Sequence, residues 1–201
     1  MATLAYAGDV EAGERAVAPF RALAKPIADL VRPMPYPELY LPEQEGFHPT
    51  AVTRTMLVDA IDRDATEAIV EHLEASTAPM RVAQLRVLGG AMARVPAEAT
   101  AFAHRASRLM VNATAVYQRP GDAEEEHKAW VDRFAAALRA GDAGAYVNFL
   151  GDEGQARVHQ AYPGPTWARL AAVKRRWDPT NLFRRNQNIP PTNGGAAAID
   201  T

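Results

Sequence analysis

The sequence contains no cysteine, which excludes disulfides and thiolate metal sites. It has no apolar run near the roughly 20 residues that cross a bilayer. Met1-Ala-Thr-Leu lacks the basic start and long apolar stretch of a signal peptide. Neither sign of charge dominates: 22 Lys and Arg against 24 Asp and Glu leave a formal net charge of −2. No electrostatic ground exists for nucleic acid or an anionic membrane as partner, and a cytoplasmic location is the expectation. Motifs with a built-in mechanism are equally scarce. There is no GxGxxG, P-loop or HExxH, and neither Ser76 nor Ser107 sits in a nucleophile elbow. The histidines, His48, His72, His104, His127 and His159, show no ligand spacing on one element, so no metal site is expected.

What is present is ordinary globular material. At 201 residues, 48% hydrophobic and 23% charged, the chain can bury a full core. Ala2 to Ala7 reads as a short strand closed by Gly8-Asp9, with Asp9 as cap of a helix over Val10 to Leu23. Six prolines between Lys25 and Pro49 break regular structure. Ala51 to Ile61 fits strand or helix, and Asp64 to Ala75 a helix with Ile69, Val70 and Leu73 inward. Arg81 to Leu88 and Arg108 to Tyr117 alternate with a period of two, as sheet does. Pro120-Gly121-Asp122 reads as turn and cap, and Glu124 to Glu126 suit the positive end of the following helix. Trp130, Phe134 and Leu138, four apart, form one buried stripe. Ala145 to Leu150 reads as a strand, Asp152 to Tyr162 as a helix, and a last helix runs from Pro165 to Asp178-Pro179. Short strands with segregated helices predict an α+β fold, an antiparallel β-sheet covered on one face by α-helices.

The stretch YVNFLGDEG…AYPGPTWARLAAVKRRWDPTNLFRRNQNIPP, from Tyr146 to Pro190, resembles the C-terminal signature of berberine-bridge-enzyme-like FAD-linked oxidases. Further segments similar to that family occur in the same order: LAYAGD, PMPY, LGGAMARVPAEATAFAHR and the helix holding Trp130. The resemblance implies a substrate-binding domain over 1–144 that lacks the upstream flavin-binding portion, a flavin-contacting segment over 145–190, and a disordered tail over 191–201. It implies FAD as cofactor, not retained by this chain alone, with no cysteinyl flavin link available. The implied partners are a small-molecule substrate, a separate flavin-binding domain and a second copy through self-association.

Roles follow position by position. Tyr146 and Asn148 match the family's YxN element, whose alternate residues point at the flavin; both are assigned to cofactor binding, and Tyr146 also as catalytic base. A tyrosine, with a free pKa near 10, needs a nearby cation or donor for that task. Relatives often have a second tyrosine where this chain has Phe149, and plant-type members a lysine where it has Met110. Asn112 stands where relatives carry a polar group contacting substrate. Gln84 and Arg86 share one face of a strand and are assigned with Asn112 to the substrate. Asn186 and Asn188 match the terminal NQNI element and are assigned to the cofactor. Arg105 corresponds to a loop-anchoring position, and Asn181 reads as a cap for the turn at Leu182-Phe183. The function implied is the substrate side of an FAD-dependent oxidoreductase that oxidises an alcohol, sugar or amine; a non-catalytic interaction protein of the same fold is the alternative.

Overall fold

A computed structural model describes residues 1–40, 46, 48–118, 123–138 and 144–192. The predicted turn at 120–122 and most of the predicted tail lie outside them. Contacts divide the chain into two compact units, Met1–Phe47 and His48–Thr201.

Among its described residues the first unit holds one α-helix, α1 (Val10–Arg21), and a 3-10 turn at Tyr36–Leu39; α1 is capped as expected, the Asp9 carboxylate accepting from the Ala12 amide at 2.9 Å. Arg21 pairs with Glu14 at 2.5 Å and Asp29 at 2.6 Å. The expected strand at Ala2–Ala7 is not formed. A strand is stable only when its backbone groups find a partner, and this segment has no backbone hydrogen bond among the described residues.

Among its described residues the second unit carries three strands, β1 (Thr50–Val58), β2 (Met80–Val87) and β3 (Leu109–Tyr117). They form an antiparallel sheet in the order β1-β3-β2. The ambiguous segment at 51–61 is therefore a strand. The described residues also form four α-helices, α2 (Arg63–Glu74), α3 (Glu124–Leu138), α4 (Gln155–Ala161) and α5 (Pro165–Trp177). Pairing of Ala83 with Ala113 and of Met56 with Val111 puts the small and apolar residues of all three strands on one face. Helix α3 lays Trp130, Val131, Phe134 and Leu138 against that face, and α2 adds Ile69 and Leu73. The expected stripe is thus the centre of the core, and the α+β fold with one helix-covered face is confirmed. The buried Trp130 indole donates to the His72 carbonyl at 2.8 Å, tying α3 to α2.

The opposite face is polar at its middle. Thr55, Asn112 and Gln84 stand side by side across the strands, with Arg86 and Met110 one step along. Strand alternation read from sequence puts Gln84 and Arg86 on one face of β2, as found, and the pairing of Gln84 with Asn112 brings Asn112 of β3 to the same face.

Two expectations in the C-terminal part need correction. Ala145 to Leu150 is not a strand: Val147–Phe149 is a turn of 3-10 helix, closed by Phe149 N to Tyr146 O at 2.9 Å and Leu150 N to Val147 O at 3.1 Å. A short apolar run satisfies either conformation, and here the local hydrogen bonds prevail. The cap of the turn after α5 is Asp178, not Asn181: its carboxylate accepts from the Leu182 amide at 2.7 Å and the Phe183 amide at 3.0 Å. Lys174 also bonds that carboxylate. These bonds, the one from Lys174 foremost, hold the Asp178 carboxyl below its usual range. Asn181 instead supplies a left-handed backbone at φ 54.

Segment 144–150 returns close to the sheet. A Cβ on Gly144 would lie 2.9 Å from His104 Nδ1 and 3.0 Å from Leu57 Cδ1. We expect Gly144→Ala to cost about 1–3 kcal/mol through overpacking, measured as a lower denaturant midpoint at unchanged slope; an unchanged midpoint would refute this packing.

Candidate functional site

The polar face of the sheet is organised as one hydrogen-bonded row. Arg86 Nε, which can only donate, lies 2.9 Å from Gln84 Oε1. That oxygen also accepts from Asn112 Nδ2 at 3.0 Å. The orientation of the Asn112 amide follows, and its Oδ1 accepts from the Thr55 hydroxyl at 2.8 Å. Asn112 and Thr55 are buried, whereas Gln84 and Arg86 are exposed. The row therefore runs from the interior to an open surface, and its buried members are satisfied.

The 3-10 turn packs over this row. Thr55 Oγ1 also lies 3.3 Å from the Phe149 carbonyl, and the Arg86 guanidinium stands 4.7 Å from the centre of the Phe149 ring. A cation over an aromatic face is attracted to the ring's negative centre. Phe149 thus serves as an apolar platform for Arg86.

Tyr146 belongs to the same aromatic group. Its ring meets Phe149 at 5.7 Å, one helical turn on, and Phe102 edge-to-face at 5.3 Å. Asn148 Nδ2 donates to the Tyr146 hydroxyl at 2.9 Å. The pair expected to share a strand face is thus joined by a direct bond within a turn. Burial, with a smaller contribution from Tyr146, pushes the Tyr162 phenol above its usual range, so Tyr162 stays protonated at neutral pH.

Asn186 and Asn188 are placed differently. No described contact joins either to Tyr146 or Asn148; the link is Gln187, whose Nε2 donates to the Leu150 carbonyl at 2.8 Å. Asn188 lines an open cavity of about 450 Å³ with Leu170, Trp177, Phe183 and Arg185. Its Oδ1 is buried without a hydrogen-bond partner among the described residues. Asn186 is exposed, with φ 58.

Phe102, Tyr146 and Phe149 offer aromatic surface against which a flavin ring could stack, while the sequence has no glycine-rich phosphate loop. Among the described residues no cluster of three or more His, Asp or Glu could hold a metal ion, and no helix is long and apolar enough to cross a membrane.

Thr55 and Phe102 were not singled out from the sequence. Thr55 lay in the segment that fitted strand or helix, so its face was unassigned. Phe102 follows no periodic element. Arg105 performs the expected anchoring: it donates to the Met92 carbonyl at 3.0 Å and to Thr100 Oγ1 at 2.7 Å, closing the loop between β2 and β3.

Residues 145–190 match the family described as berberine and berberine like. An uncharacterised FAD-linked oxidoreductase of Bacillus subtilis, YvdP, is 36% identical over 104 residues, 52% of this chain and 23% of that protein. A chitooligosaccharide oxidase of Gibberella zeae is 34% identical over 118 residues, 54% of this chain and 24% of that protein. Among solved structures, a 6-hydroxy-D-nicotine oxidase from Arthrobacter nicotinovorans superposes with a TM-score of 0.69 at 24% identity, covering 92% of this chain and 43% of that one. The chain thus spans about a quarter of the length of the curated relatives it matches.

Proposed function

We propose, from the relationship of this chain to the berberine-bridge-like FAD-linked oxidases, that it provides the substrate side of an FAD-dependent oxidoreductase. Its substrate is an alcohol, sugar or amine. The observation that carries the reading is the convergence of Tyr146 and Asn148, in the matched segment, with the row Gln84, Arg86 and Asn112 through the Phe149 platform.

FAD, bound largely by a separate domain, supplies the two-electron acceptor. Acting as the phenolate, the Tyr146 oxygen takes the proton from the substrate hydroxyl or amine as the carbon is oxidised, and the two electrons leave to the flavin. Asn148, donating to that oxygen at 2.9 Å, fixes its position. Gln84 and Arg86 orient the substrate, with Asn112 and Thr55 bracing Gln84 from below. The aromatic rings of Phe102 and Phe149 screen Tyr146 from water.

Supplying a flavin-binding domain of a relative in trans tests this reading. Under anaerobic conditions, bleaching of the flavin by an oligosaccharide or other alcohol is expected only when this chain is present. Bleaching at the same rate without the chain, or none with it across such substrates, would reject the assignment.

A further inference from the structure

The hydrogen-bond directions along the polar row fix what its open end can recognise. Arg86 Nε is a donor, so Gln84 Oε1 is an acceptor, and it receives a second bond from Asn112. Both acceptor functions of the row, Gln84 Oε1 and Asn112 Oδ1, are therefore used internally. What remains outward is the Gln84 amide nitrogen and the two terminal nitrogens of Arg86. None of the three has an acceptor among the described residues, and both side chains are exposed.

We infer that Gln84 and Arg86 form a carboxylate subsite, so that the substrate is an acidic one, a sugar acid or other hydroxy acid. A neutral hydroxyl offers a donor as well as acceptors, and against this surface its donor has no partner. A carboxylate offers acceptors alone and matches the array in both hydrogen-bond sense and charge. Arg86 is prepared for it: the Phe149 ring under its plane and the Gln84 oxygen on Nε restrict the guanidinium, leaving the edge with both terminal nitrogens free for a two-point contact. Glu153 and Asp132 pair with Arg54 on the helix-covered side of β1, and among the described residues no carboxylate bonds Gln84 or Arg86. This inference deepens the proposed function and shares its site, but its test needs no flavin.

The full chain is titrated with D-glucuronate and with D-glucose, and the side-chain N–H signals of Gln84 and Arg86 are followed by NMR. Glucuronate is expected to move both sets of signals and to bind about tenfold or more tightly than glucose, the increment of a charge-assisted pair. Arg86→Gln, which keeps an amide donor without the charge, is expected to remove that preference; Arg86→Lys is expected to retain only part of it. Equal binding of the two sugars, a preference that survives Arg86→Gln, or glucuronate leaving Gln84 and Arg86 unmoved would each overturn the subsite. Flavin reduction with no preference for acidic substrates would leave the oxidoreductase standing and remove only the carboxylate.

Discussion

Replacing Phe134 by alanine is expected to remove about 3–5 kcal/mol of stability, the range for deleting a buried aromatic ring. Phe134 is 0% exposed and sits where α3 meets both α2 and the sheet, with its ring 5.0 Å from His72 and 5.5 Å from Trp130. The sheet below it is lined by alanines, Ala113 and Ala115 among them, which cannot expand into the space. Domains of this size are stable by only about 5–15 kcal/mol, so the variant loses a large part of its margin. Trp177, 74% exposed on α5, is the internal comparison: Trp177→Ala is expected within about 0.5 kcal/mol of the parent. Urea melts followed by circular dichroism check both, and similar midpoints for the two variants would contradict the core assigned here.

The core was legible in the sequence because its signals are long. Trp130, Phe134 and Leu138 repeat at helical spacing over a whole element, and β3 alternates over nine residues, so one face could be told from the other. Asp9 capped its helix as read, because a carboxylate just before a helix has one evident use. Short segments failed for the converse reason. Ala2–Ala7 has strand composition, but pairing is decided by what lies beside it. Tyr146–Leu150 is too short for its period to distinguish a strand from a tight turn. The site was partly legible on the same terms: alternation put Gln84 and Arg86 on one strand face, whereas Asn112 was assigned by the family resemblance, and the register of β2 on β3 sets the three on one face. Thr55 and Phe102 became part of it only through contacts between residues far apart in sequence.

Tyr146→Phe is expected to slow flavin reduction by about 10²-fold or more, because a positioned proton acceptor typically contributes 10²–10⁴. The change deletes one oxygen and keeps the ring, so the contacts with Phe102 and Phe149 remain and stability should hardly change. Among groups near the Tyr146 oxygen, Asn148 donates to it and cannot replace it as base; Tyr162 stays protonated. Phe149 has no oxygen at all. Asn112→Ala should behave differently, since Asn112 is buried beneath Gln84 and braces it. Its loss is expected to raise the substrate concentration needed for half-maximal reduction, with a smaller effect on the limiting rate.

The proposed function assigns Tyr146 of this chain a chemical role in flavin reduction. Stopped-flow anaerobic reduction at saturating substrate, with a flavin-binding domain supplied in trans and Tyr146→Phe compared with the parent chain, tests it most directly. A limiting rate reduced about 10²-fold or more, with unchanged thermal stability, is the predicted result; the same limiting rate in both proteins would contradict the claim and leave the chain as a binding surface only.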